Sequence, residues 1–289
     1  MTTEFALSTE STISKLDAVR HQGMFPSAIV DMARTIGCDG LNLYSLHSEI
    51  YQQFASGSIL PNLGKNFLSG EMSFRSERTF REVRTHSSPV TALQAYIAYP
   101  ERVSSLDALV NLQDVNSDAL VILYPYHAKA VENGEEWNKQ WNEQEYPHAS
   151  LLKHKLIRPE PGLLDRWGVS TTEEFIQESF KRGYNGFCLN AKHLIRLPEG
   201  GFRTKFEKYM CLVPMLLPHT QAIDLHPVIP SGKHFLLEHY LKSEEITLLN
   251  VAKRKDWKGL VILHFPFGQL KKVSQVSQTF LKELKSFLI

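Results

Sequence analysis

"STTEEFIQESFKRGYNGFCLNAKH", residues 170–193, is the stretch that decides the fold. Ser170 and Glu173 read as a capping box, Phe175, Ile176 and Phe180 as the inner face of a helix, and Gly183 as its stop. A short apolar strand follows and ends in a loop that delivers His193. The earlier stretch "PSAIVDMARTIGCDGLNLYSLH", residues 26–47, repeats this order. Pro26 opens a helix, Ile29, Val30, Ala33 and Ile36 fall at helical spacing, Gly37 turns the chain, and a strand leads to His47. Both copies share one grammar at residues 37–47 and 183–193: Gly, any residue, Asp or Asn, Gly, six residues, His. Two helix-then-strand units of this kind predict a repeated architecture in which each strand hands a polar residue to the same end.

The rest of the chain continues the alternation. Strands are expected in residues 3–9, 87–99, 117–127, 151–159, 219–227 and 258–266, which with the two above makes eight. Helices are expected at 101–112, 202–217 and 235–254, and the C-terminal segment 273–288 has an amphipathic pattern. "ALVILY" and "LVILH" are continuous apolar runs, as suits parallel strands covered on both faces. An α/β protein follows, and eight such units suggest a closed (β/α)₈ barrel, with a doubly wound open sheet as the other arrangement of similar strand count. No interdomain linker is visible, so residues 1–289 are read as one domain with elaborated loops near 57–85 and 131–150.

Bulk properties narrow the function. The chain has 289 residues, 43% of them hydrophobic, enough to fill a sizeable core. Thirty-two Lys and Arg against thirty-one Asp and Glu leave a net charge of +1, so no global field draws it to nucleic acid or to a membrane. The N-terminal sequence lacks a secretory pattern and no run of about eighteen apolar residues occurs, so a soluble cytoplasmic protein is expected. Cys38, Cys188 and Cys211 are widely spaced; Cys38 and Cys188 fall in or beside strands, where cysteine serves as a small apolar filler. No P-loop, GxGxxG, GxSxG, HExxH or paired CxxC occurs, which removes support for a nucleotide cofactor, an α/β-hydrolase and a zinc ribbon.

In a barrel, chemistry sits where strands end. Polar residues recur there: His47 after the second strand, Tyr124, Tyr126 and His127 after the fourth, Arg158 and Glu160 after the fifth. Asn190 and His193 follow the sixth, Asp224 and His226 close the seventh, and His264 ends the eighth. Imidazoles with a carboxylate are competent ligands for a transition ion, so His193, Asp224, His226 and His264 form a candidate site for zinc, manganese or iron. Against this, a single His at a strand end is more often a hydrogen-bonded loop residue, and Asp224 serves equally well to orient a neighbour or pair with Arg or Lys. Tyr124 and Tyr126 share a face suited to stacking on a ring, although aromatic barrel lining is the commoner role.

"AIVDMARTIGCDGLNLYSLH", "GFCLNAKH", "IDLHP" and "LVILHFP" together resemble the xylose isomerase-like TIM-barrel superfamily, which includes sugar epimerases, inosose dehydratases and the apurinic endonuclease group. The resemblance covers most of the chain in strand order, through short motifs. It implies a divalent metal held by two Glu, one Asp and one His at the ends of the fifth, eighth, sixth and seventh strands. Glu160 stands near the fifth-strand place, Asn190 where the sixth-strand Asp is expected, His226 at the seventh-strand His, and His264 at the place of the eighth-strand Glu. His193 matches the His that follows the sixth-strand Asp, and His47 resembles the second-strand His of the endonuclease group. Asn190 and His264 depart from the pattern, and a neutral amide and an imidazole cannot supply the charge that two carboxylates give a hard cation.

The resemblance implies an isomerase, epimerase or lyase acting on a small sugar, polyol or related carbonyl compound. A metal on Glu160, His193, Asp224, His226 and His264 would polarise the substrate, with Glu160, His193 or His264 moving the proton and His47, Tyr124, Tyr126, His127, Arg158 and Asn190 binding it. Two alternatives accompany it: a barrel that has lost its metal and binds a ligand or partner protein, and a metal-dependent phosphoester hydrolase. Nucleic acid is not expected as a partner, and an exposed apolar face on the C-terminal helix would fit a homodimer.

Overall fold

Strand alternation and helix caps can be traced in the computed structural model, which describes residues 3–8, 35–44, 90–97, 120–125, 153–159, 167–194, 204–228, 236–265 and 270–288. Eight strands run in it: β1 (Glu4–Ser8), β2 (Gly40–Tyr44), β3 (Val90–Ile97), β4 (Leu120–Pro125), β5 (Lys155–Ile157), β6 (Gly186–Asn190), β7 (Thr220–Leu225) and β8 (Leu260–Leu263). All neighbouring pairs are parallel and follow chain order. The sheet curls until β8 hydrogen-bonds β1, with Phe5 opposite Val261. Helices α1 (Thr172–Lys181), α2 (Ala191–Leu194), α3 (Lys205–Leu216), α4 (Leu237–Tyr240), α5 (Ser243–Arg254) and α6 (Leu270–Leu288) are described around the second half. The expected helices at 26–37 and 101–112 lie largely or wholly outside the described residues, as do the loops 57–85 and 131–150.

Helix α1 begins one residue later than its sequence suggests. "STTEE" satisfies the capping pattern in two registers, and the chain uses Thr171 with Glu174: Thr171 Oγ1 accepts from the Glu174 N–H at 3.2 Å, and Glu174 returns a carboxylate to the Thr171 N–H at 3.3 Å. That frame buries Thr172, Phe175 and Ser179, while Ile176 is half-buried and Phe180 stays 40% exposed. Phe175 stacks on Phe187 of β6 at 5.6 Å and on Trp167 at 5.4 Å, which fastens the helix to the sheet.

The repeated Gly, any residue, Asp or Asn, Gly phrase has a definite use. Gly37 and Gly183 adopt φ of 91° and 79°, left-handed turns that release each helix toward its strand. Asp39 and Asn185 then clamp the preceding strand with two hydrogen bonds each. Asp39 gives its N–H to the Phe5 carbonyl at 2.7 Å and takes the Phe5 N–H on its carboxylate at 3.0 Å. Asn185 gives its N–H to Lys155 O at 2.6 Å and takes the Lys155 N–H on Oδ1 at 2.8 Å. Each side chain extends the parallel ladder by one rung below the point where backbone pairing begins. Gly186 is required for another reason: a Cβ there would meet the His219 carbonyl at 2.4 Å.

The expected helix across 235–254 is two helices. The chain is extended at Leu241 and Lys242, with ψ of 149° and 156°, and α5 starts afresh beneath the Glu245 carboxylate, which accepts the Lys242 N–H at 3.0 Å. Helix α6 spends its apolar face inside the chain: Phe280, Leu281, Leu284 and Leu288 are buried, with Phe280 against Tyr240 at 4.9 Å and Phe265 at 5.9 Å. This described apolar face of the C-terminal helix packs on this chain's own Tyr240 and Phe265. Cys38 and Cys188 are buried, as their strand positions suggested, while Cys211 is exposed. Burial pushes the Cys38 thiol to about 12 and the Cys188 thiol to about 11, so both stay protonated and serve as filler.

Candidate active site

Two-residue periodicity builds the site. Ala6, Ile122, Leu156, Cys188, Ala222, Leu260 and Ile262 pack into one buried cluster inside the sheet. Side chains two positions further along a strand face the same way. That step leads from Ala6 to Ser8, from Leu156 to Arg158, from Cys188 to Asn190, from Ala222 to Asp224 and from Ile262 to His264. Every one of these is buried, as is Asn42, which pairs in register with Ser8. An apolar layer is therefore followed by a polar one, and the change occurs at the C-terminal ends of the strands.

Asp224 is the centre of this layer and has no exposed surface. Its Oδ2 forms an ion pair with the Arg158 guanidinium from the end of β5, and its Oδ1 accepts from His264 Nε2 at 3.3 Å from the end of β8. A buried carboxylate needs such partners, since an unpaired charge there would be expensive. Strand β6 sets Asn190 beside Asp224 in register. Asn190 accepts the Lys192 N–H at 3.0 Å and points its amide nitrogen at His226 Nδ1, 3.4 Å away. The His226 and His264 rings stack with centroids 4.7 Å apart and planes within 9°.

His226 is also held by its backbone: its N–H donates to the Glu245 carboxylate at 2.7 Å. Desolvation lowers the proton affinity of His226 well below the ordinary histidine range, and the positive groups of His264, Arg158, His193 and Lys242 act in the same direction. The residue keeps an exposed face toward the mouth. Neutral His226 accepts at Nδ1, the tautomer the Asn190 amide selects. Burial raises Glu245 above the usual carboxylate range, opposed by the N–H groups of His226 and Lys242.

The expected residues divide clearly. Arg158, Asn190, Asp224, His226 and His264 come together, and His193, on α2, is near enough for its charge to act on His226. Tyr124 lies in β4 opposite Tyr96 of β3, by backbone register. His47, Tyr126, His127 and Glu160 lie outside the described residues. Glu245 was not among the expected residues; its signal was the acidic pair at the start of α5, which resembles an ordinary helix N-terminus. Arg158 was expected to bind substrate, and its pairing with Asp224 could not be read from strand ends alone.

These residues fit a metal poorly. Asp224 is the carboxylate that the described strand ends supply, and a guanidinium occupies one of its oxygens. Among the described residues no group of three or more His, Cys, Asp and Glu side chains could hold a metal ion. An open hollow of about 1030 Å³ lies at the opposite end of the strands, lined by groups including Glu4, His154, Trp257 and Lys258. The convergent polar groups are elsewhere, at the ends where barrel chemistry is built, and they define the candidate site. No described helix is long and apolar enough to cross a membrane.

Curled parallel strands with polar residues at their C-terminal ends give the fold class, an α/β fold shared with TIM-barrel proteins. Among solved structures the chain is similar to a xylose isomerase domain-containing protein from Salmonella typhimurium, at TM-score 0.57 and 12% identity over 99% of this chain and 97% of that one. It is also similar to the IolI protein solved with a bound zinc atom, at TM-score 0.58 and 11% identity, covering 99% and 98% of the two chains. Endonuclease IV from Thermus thermophilus matches at TM-score 0.54 and 14% identity, over 97% of this chain and 99% of that one. Neither a protein-family model nor a curated protein sequence matches the chain.

Proposed function

We propose that the chain is a single-domain (β/α)₈ barrel enzyme that isomerises, epimerises or dehydrates a small sugar, polyol or related carbonyl compound at the mouth formed by Arg158, Asn190, Asp224, His226 and His264. The observation that carries this reading is the stacked pair His226 and His264, set over a buried Asp224. Two imidazoles in unequal surroundings suit a reaction that takes a proton from one substrate atom and returns it to another. His226, kept neutral with Nδ1 turned to the Asn190 amide, presents its Nε2–H as the donor that polarises a substrate oxygen; His264, whose Nε2–H is held by Asp224, offers Nδ1 as the base. Asn190 fixes the His226 ring, and Glu245 fixes its backbone. Sugar-like substrates are favoured over phosphoesters because phosphoester hydrolysis would call for more carboxylates than the described strand ends supply.

The test is solvent exchange. The protein is incubated in D₂O with a panel of aldoses, ketoses, cyclic polyols and their oxidised forms, and deuterium entry beside the carbonyl and loss of water are followed by NMR. One substrate class should exchange, and His226→Gln or His264→Gln should slow it by about 10²–10⁴-fold. A folded protein that exchanges nothing, yet is stabilised against heat by one of these compounds, would make the mouth a binding site only.

A further inference from the structure

At this mouth the chain's own cation already occupies the carboxylate. Arg158 and Asp224 are 4% and 0% exposed, and their side chains form an ion pair. The other carboxylate oxygen takes His264 Nε2 at 3.3 Å, so both oxygens of Asp224 are engaged within the protein. Nδ1 of His226 is turned to the Asn190 amide at 3.4 Å. The two imidazoles lie face to face, 9° from parallel. A divalent ion placed here would also sit against a buried guanidinium, and like charges repel strongly where water is scarce.

We propose that the Arg158 guanidinium stands in for a divalent cation at this mouth, making it a metal-independent site. The proposal rests on the reading of the mouth as a substrate site given above, and it narrows the chemistry of that site. The positive charge is covalently fixed, balanced by Asp224, and insensitive to chelators. Its substrate is recognised by hydrogen bonding to guanidinium, amide and imidazole groups, which suits a neutral, oxygen-rich compound.

The experiment uses cobalt(II) as the probe. Full-length protein purified without a tag is stripped with chelator and titrated with Co(II), whose visible absorption reports nitrogen and oxygen ligation. Wild type should take up no equivalent at the mouth. Arg158→Met, shown to be folded by circular dichroism, should gain Co(II) affinity by roughly tenfold or more, because the repelling charge is gone and Asp224 is released. Arg158→Lys, which keeps the charge, should behave as wild type, and Asp224→Asn added to Arg158→Met should erase the gain. One equivalent of Co(II) in wild type that Asp224→Asn abolishes overturns the proposal, as does folded Arg158→Met with no gain. If Arg158→Met does not fold, the wild-type and Asp224→Asn titrations decide alone. The titration needs no turnover, so a mouth that refuses cobalt and exchanges no sugar sinks the enzyme reading while leaving the role of Arg158; cobalt binding with active exchange does the reverse.

Discussion

The two ends of the same strands are built to opposite rules. At the N-terminal ends, Asp39 and Asn185 spend their polar atoms on neighbouring backbone, and Gly186 clears room for a carbonyl. At the C-terminal ends, Arg158, Asn190, Asp224, His226 and His264 spend theirs largely on one another. Backbone partners exist in any parallel barrel, so the first set costs little to satisfy and serves stability. Side-chain partners must be brought from distant strands, and buried polar networks of that kind are expensive unless complete. The lower end holds the ring together, and the upper end depends on the ring being held.

The largest effect should come from breaking the upper network at its centre. Asp224→Ala leaves the Arg158 guanidinium buried without its carboxylate and should cost about 3–5 kcal/mol of folding stability, read as a lower urea midpoint. A loss near 0.5 kcal/mol, typical of exposed pairs, would show that Arg158 finds water and that the upper end is no closed network.

A smaller effect is expected below. Asn185→Ala removes one arm of the bracket on Lys155 and should cost about 1 kcal/mol, whereas Asn185→Asp keeps an acceptor for the Lys155 N–H and should cost less. Because Asp already does this work at position 39, equal losses in the two variants would contradict the bracket as the purpose of the repeated phrase.

The least effect at neutral pH, and a distinctive one in acid, belongs to His226. Its folded-state proton affinity is depressed from the ordinary value of 6.5. The unfolded chain therefore takes up a proton as pH falls past 6.5 while the folded chain resists, so the stabilising contribution is full above that value and is lost on acidification. Urea midpoints at pH 7.5 and pH 5 should fall further for wild type than for His226→Gln. Parallel falls would mean that His226 is protonated freely in the folded protein and is not held neutral.

Much of the architecture was legible because local physics writes it. Helix caps, left-handed glycines and apolar runs marked the ends of α1 to within a residue and the presence of β6 after it, although "STTEE" offered two equally good cap registers and tertiary packing of Phe175 accompanies the one used. The break between α4 and α5 was hidden, because "HYLKSEEITLL" keeps good helix formers across it. Glu245 was hidden for a related reason: an acidic residue in a first turn is ordinary, and only the approach of β7 makes it a holder of His226.

By itself the sequence determined which residues end the strands, since alternation with period two and the turn residues are properties of neighbouring positions. Tertiary structure decided what those residues do. Parallel register and the curl of the sheet bring β5 and β8 to either side of Asp224, and that meeting turns a plausible metal ligand into the counter-ion of Arg158. Neither partner carries any mark of the other in its local sequence, because an ion pair across a barrel depends on where the strands close and not on what surrounds each residue in the chain.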